Sequence, residues 1–93
     1  MIPSDHQFDA IVIGAGHNGL IAAAYLGKAG KRVLLLEAAT RLGGALTTAE
    51  VSPDYRVSTA AHLLDALPRR VEKDLKLAKH GLRFAARQLQ TIV

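Results

Sequence analysis

Three glycines and one acid carry the chemistry legible in this chain. Within DAIVIGAGHNGLIAAAYLGKAGKRVLLLE, Asp9 to Glu37, the glycines Gly14, Gly16 and Gly19 follow a short apolar run, and Glu37 ends a second one. This spacing suits a dinucleotide. The first glycine permits a tight exit from a strand, the second leaves room for phosphate, and the third lets the following helix pack closely on the sheet. A helix starting near His17 or Asn18 aims its unpaired N–H groups and positive dipole end at the phosphates, so the turn needs no basic side chain and contains none. Glu37 lies 18 residues after Gly19 and 21 after Gly16. There a carboxylate accepts hydrogen bonds from the hydroxyls of an adenosine ribose and repels a 2′-phosphate.

The elements that must position these residues form a nucleotide-binding βαβ unit with its core at about residues 8–45. A strand is predicted over residues 9–13, a helix over 18–29 with Ala22, Ala23, Ala24 and Leu26 at packing positions and Gly30 as its stop, and a second strand over 32–37. Arg41-Leu42-Gly43-Gly44 follows the acid. Two adjacent glycines disfavour the helix that would ordinarily begin here and point to backbone passing close to a ligand. Arg41 is read as a contact near a pyrophosphate, as a fixing point for this loop, or as a plain surface charge. Two weaker extended stretches, Leu46 to Val51 and Arg56 to Thr59, flank the turn signal Ser52-Pro53-Asp54 and predict a small hairpin. A further helix is marked by Pro68 at its first position, an apolar stripe of Val71, Leu75 and Ala78, a Glu72/Lys76 pair at i, i+4, and Gly81 as its stop.

Composition narrows the function. Ninety-three residues are fewer than a doubly wound sheet usually needs, so the chain is expected to be an incomplete α/β domain, the N-terminal part of a longer enzyme whose substrate domain is absent. The run Gln88 to Val93 reads as a strand without a stop signal. With no cysteine there is no disulfide, thiolate metal site or redox-active cysteine pair in these residues, and redox chemistry must come from a bound cofactor. The opening MIPSDHQFDA has neither a basic amphipathic leader nor an apolar signal core, and no stretch reaches the roughly 18 apolar residues of a membrane span. A cytoplasmic location is the expectation. The net charge of +4 is concentrated in the second half, where residues 47–93 carry eight basic and five acidic side chains. Acids at Glu72 and Asp74 interrupt the basic run and no aromatic residues interleave it, so a solvated face is expected and no nucleic-acid partner. The four histidines lack metal-ligand spacing, and no nucleophile elbow is present.

The joined pattern GAGHNGL, VLLLEAATRLGGA and STAAHLL resembles the N-terminal flavin-binding region of the phytoene dehydrogenase-related oxidoreductases, within the amine oxidase and carotenoid desaturase superfamily of FAD proteins. The resemblance covers about Asp9 to Phe84. It implies a Rossmann-like FAD-binding domain in which Gly14, Gly16 and Gly19 lie at the diphosphate, Glu37 at the adenosine ribose, His17 positions backbone or contacts the diphosphate, and Asn18 and Ala38 are further cofactor-binding residues. Arg41, Gly43, Gly44 and Ala45 would follow the cofactor beyond it. Ala45 stands where many superfamily members have arginine. The resemblance also places His62 in a segment returning toward the flavin ring, where it would contact the ring or face substrate. An ordinary structural histidine is the competing reading.

The activity so implied is removal of a hydride from a substrate C–H bond onto FAD, leaving a new double bond. The partners implied are FAD and a small-molecule substrate, apolar ones included, with any membrane contact made through regions outside this chain. No catalytic residue is assigned, and the chain alone is not expected to turn over substrate. Two alternatives stand beside this: an NAD-binding unit of a dehydrogenase, against which the RLGG loop argues, and a non-catalytic nucleotide-binding remnant or interaction module, against which the intact glycines and acid argue.

Overall fold

The computed structural model describes residues 7–61, 67–85 and 87. Their order is β1 (Ala10–Ile13), α1 (His17–Lys28), β2 (Val33–Leu36), a 3₁₀ turn (Gly44–Leu46), β3 (Thr48–Ser52), β4 (Tyr55–Ser58) and α2 (Arg69–Asp74). Strands β1 and β2 pair in parallel, Ala10 opposite Val33 through Ile13 opposite Leu36. Asp9 and Arg32 fix that register. The Asp9 N–H donates to the Arg32 carbonyl and the Arg32 N–H to the Asp9 carboxylate, both at 2.8 Å. The expected βαβ unit is present, with each boundary within one residue of its predicted place.

Helix α1 crosses one face of this pair and presents Gly19, Leu20, Ala23 and Leu26, all half-buried, at helical spacing. Ala22 and Ala24, expected at packing positions, are exposed because they lie off that stripe. The helix ends as predicted at Gly30. Its φ of 84 allows a Schellman closure, in which the Lys31 N–H donates to the Leu26 carbonyl and the Gly30 N–H to the Gly27 carbonyl, both at 3.0 Å. Strand β1 alternates faithfully. Val12 meets the α1 side, whereas Ile11 and Ile13 point to the other face and are 60% and 85% exposed.

The hairpin forms from β3 and β4, antiparallel, with Thr48 opposite Ser58 and an irregularity between Glu50 and Ser52. Asp54 takes the left-handed turn position at φ 67, and the Glu50 carboxylate accepts its N–H at 3.1 Å.

Helix α2 is shorter than the sequence predicts. Pro68 caps it with extended backbone instead of occupying its first turn, and the helix stops after Asp74. Lys76 enters the left-handed region at φ 51, and a Schellman pair, Leu77 N–H to Glu72 carbonyl and Lys76 N–H to Lys73 carbonyl, closes the end. Gly81, at φ 104, closes the following turn by the same pattern. The predicted Glu72/Lys76 pair does not form, since the turn at Lys76 ends the helical register. Glu72 pairs with Arg87 at 2.9 Å, and the i, i+4 ion pair is Arg70 with Asp74 at 3.6 Å. The early stop follows from docking on α1. The Tyr25 hydroxyl donates to the Asp74 carboxylate at 2.8 Å, and the Lys28 ammonium donates to the Asp74 carbonyl. Burial and the Asp74 carboxylate push the Tyr25 phenol pKa up. The basic side chains of this region are exposed, as expected of a solvated face. The predicted strand at Gln88 to Val93 lies outside the described residues.

Two outcomes follow for stability. Replacing Lys76 by glycine relieves an unfavourable backbone conformation and is expected to raise stability by about 0.5 to 1 kcal/mol. Gly19→Ala would put its Cβ 1.8 Å from the Gly14 carbonyl oxygen. Because that neighbour is backbone, helix and strand must separate, and a loss of about 3 kcal/mol is expected. Urea denaturation followed by circular dichroism measures both.

Candidate functional site

The strand-to-helix turn is built around Ala15, which is completely buried. Gly14 precedes it at φ 98, a conformation that redirects the chain out of β1 while its N–H still donates to the Leu36 carbonyl at 2.7 Å. Both polar ends of Ala15 are then taken by the segment after β2. Its N–H donates to Glu37 Oε1 at 2.9 Å, and its carbonyl accepts the Gly43 N–H at 2.7 Å. The acid and the double-glycine loop, separate motifs in the sequence, thus close on one residue.

The double-glycine loop lies directly against the first turn. Gly16 and Gly43 form a parallel bridge. Gly44, at φ 57, approaches so closely that an added Cβ would stand 3.1 Å from the Gly16 Cα. A side chain at position 44 would therefore push the two turns apart. Ala45 continues into the exposed 3₁₀ turn, whose Leu46 N–H donates back to the Gly43 carbonyl at 3.1 Å.

The three glycines of the first motif serve different needs. Gly19 is required by packing, as the Gly14 carbonyl contact shows. Gly16 is not: its φ is an ordinary −74, and an added Cβ would meet only the Gly44 Cα, at 4.0 Å. It is the N-cap of α1, and the next residues, His17, Asn18 and Gly19, begin a helix whose first N–H groups have no acceptor one turn earlier. Glycine at 16 leaves open space beside the positive end of the helix, with no atom closer than 4.0 Å to where a Cβ would stand. His17 and Asn18 are both exposed beside it. The arrangement fits a diphosphate held by backbone.

Glu37 is half-buried, and its carboxylate accepts from two amides, Ala15 through Oε1 and Ala39 through Oε2, each at 2.9 Å. The Ala39 N–H, then the Ala15 N–H, hold its pKa below the ordinary value; partial desolvation opposes them and the exposed Ala38 adds a smaller lowering. Glu37 is therefore a carboxylate at neutral pH. Two oxygens offer about four acceptor positions. The two amides leave room for the pair of ribose hydroxyls expected from the sequence.

Arg41 behaves as the fixing point among its predicted roles. It is exposed, and its guanidinium donates to the Thr48 carbonyl at 3.0 Å, tying the loop to β3. Nearby, the Thr47 hydroxyl bonds the Gly44 carbonyl and the Thr59 hydroxyl, each at 3.0 Å, joining the glycine loop to the hairpin's end. Sequence reading missed Thr47, Thr59, Ala39 and the central part of Ala15. Only Ala15 carried a signal, a small residue enclosed between two motif glycines. The structure brings Gly14, Gly16, Gly19, Glu37, Gly43 and Gly44 together. His62 lies outside the described residues. Among the described residues there is no group of His, Cys, Asp or Glu able to hold a metal ion, and no helix is long and apolar enough to cross a membrane.

Comparison with known proteins matches residues 12–84 to the NAD(P)-binding Rossmann-like domain. The chain is 46% identical over 81 residues to pyridine nucleotide-disulfide oxidoreductase domain-containing protein 2 of Rattus norvegicus, an alignment covering 87% of this chain and 14% of that protein. It is 46% identical over 78 residues to a limonene dehydrogenase polypeptide of Castellaniella defragrans, covering 81% and 14%. To all-trans-retinol 13,14-reductase of Macaca fascicularis it is 60% identical over 42 residues, 45% of this chain and 7% of that protein. The chain therefore spans about one seventh of the length of the first two relatives. The glycine turn, the acid and the double-glycine loop all fall within the matched span, and the chain belongs to the NAD(P)-binding Rossmann-like domain family.

Proposed function

We propose that this chain is the FAD-binding segment of a flavin-dependent oxidoreductase, related to the phytoene dehydrogenases, that dehydrogenates a substrate C–H bond. The observation carrying the reading is the clearance at Gly16. Neither backbone conformation nor packing demands glycine there, whereas a phosphate set against the head of α1 does. In this reading the leading amides of α1 hold the diphosphate, Glu37 accepts the ribose hydroxyls, and the Gly43-Gly44 backbone forms the facing wall. Bound flavin supplies the redox chemistry by accepting a hydride; these residues supply its attachment and orientation.

FAD is favoured over diffusible NAD because the chain after β2 folds back as a glycine loop bridged to Gly16 instead of continuing as a helix. The likeness to relatives named limonene dehydrogenase and retinol reductase supports an oxidoreductase parent. The family's own description keeps NAD as the second reading.

Titrating the chain with FAD, NAD and ADP by calorimetry tests the proposal. FAD is expected to bind more tightly than NAD. Gly16→Ala should weaken FAD binding by more than tenfold while costing no more than about 1 kcal/mol of stability, the ordinary penalty of alanine at an N-cap. Tighter binding of NAD would move the parent to nicotinamide chemistry. Unaltered FAD affinity in the alanine variant would remove the phosphate from Gly16.

A further inference from the structure

The geometry points to a second role for Glu37: it is the positioning residue of the glycine turn, setting the α1 amides for a diphosphate independently of any contact with ribose. This inference rests on the nucleotide-binding reading above and deepens it. The carboxylate spans two segments, with Oε1 on the Ala15 N–H and Oε2 on the Ala39 N–H. Ala15 is the residue between the strand exit at Gly14 and the N-cap at Gly16. Its carbonyl is held by the Gly43 N–H. Held through both of its flanking peptide groups, Gly14–Ala15 and Ala15–Gly16, Ala15 has its φ and ψ constrained together, and the direction in which α1 begins is set by the acid and the loop that follows it.

The chemistry of the acceptor is specific. Two amide donors, one on each oxygen, require a group that accepts at both ends, and a carboxylate does so. A carboxamide accepts at one end and donates at the other, so Glu37→Gln must set its NH₂ against either the Ala15 or the Ala39 N–H. The same carboxamide still hydrogen-bonds ribose, accepting from one hydroxyl and donating to the other. Glu37→Gln therefore impairs the turn more than the ribose contact, and a ligand without ribose hydroxyls separates the two roles.

The experiment measures binding of ADP and of 2′,3′-dideoxyadenosine diphosphate to the unsubstituted chain and to Glu37→Gln. It also follows amide exchange at Ala15 and Gly43 without ligand. The expected result is a loss of about tenfold in affinity for both nucleotides, the size of one charge-assisted hydrogen bond, and faster exchange at both amides. A variant that binds the dideoxy compound as tightly as the unsubstituted chain, while losing affinity for ADP alone, would reduce Glu37 to a ribose acceptor and overturn the inference. A measurement on the unsubstituted chain guards against misfolding of the variant. The Ala15 and Ala39 amide proton resonances should move together through one acidic titration, and an Ala15 resonance that ignores it overturns the inference. If the chain binds neither nucleotide, the nucleotide-binding reading fails by itself and the resonance titration still decides the positioning role.

Discussion

Everything in this small structure turns on the backbone of Ala15. Its N–H is held by Glu37 and its carbonyl by Gly43, so the exit of β1, the head of α1, the end of β2 and the double-glycine loop share one anchoring point. Ala15 is also the one fully buried hydrophobic residue among those described. A buried amide left unpaired costs on the order of 1 to 3 kcal/mol. Both partners are therefore structural requirements, and the alanine methyl between them is fully enclosed.

Around that anchor, the demands of fold and ligand are divided among neighbouring residues. Gly19 lets the helix rest on the Gly14 carbonyl, Gly44 lets the second loop rest on the first, and neither packing nor backbone conformation requires glycine at 16. The surface so formed has a helix start on one side, a backbone loop on the other, and an ionised acid beneath. No cationic side chain is needed for an anion to bind there, because oriented amides and the helix dipole supply the positive potential. The acid cannot be neutralised near pH 7, since its amide partners favour the charged form.

Farther out, polar stitches replace apolar packing. The hairpin is tied to the glycine loop by Arg41 on the Thr48 carbonyl and by the Thr47/Thr59 hydroxyl pair. Helix α2 is tied to α1 through Asp74. Exposed Val51, Tyr55 and Val57 on the hairpin and Ile11 and Ile13 on β1 show how little apolar surface these parts bury. Regions held this way open at lower free energy than a packed core.

The βαβ unit was legible in the sequence because its signals are local: two apolar runs, a stop at Gly30, and glycines whose spacing reflects a turn only a few residues long. The hairpin was legible for the same reason, through Ser52-Pro53-Asp54. Helix α2 was misjudged in length because its end depends on Tyr25 and Lys28, which lie more than forty positions away. The sequence by itself determined the residue types of the site and the acid that closes it. Only the tertiary structure decided that the acid and Gly43 grip the same residue, that Gly19 serves packing while Gly16 does not, and that Arg41 secures the hairpin. The grip on Ala15 depends on distances between segments 22 to 28 residues apart, and spacing along a chain does not fix how two loops meet in space.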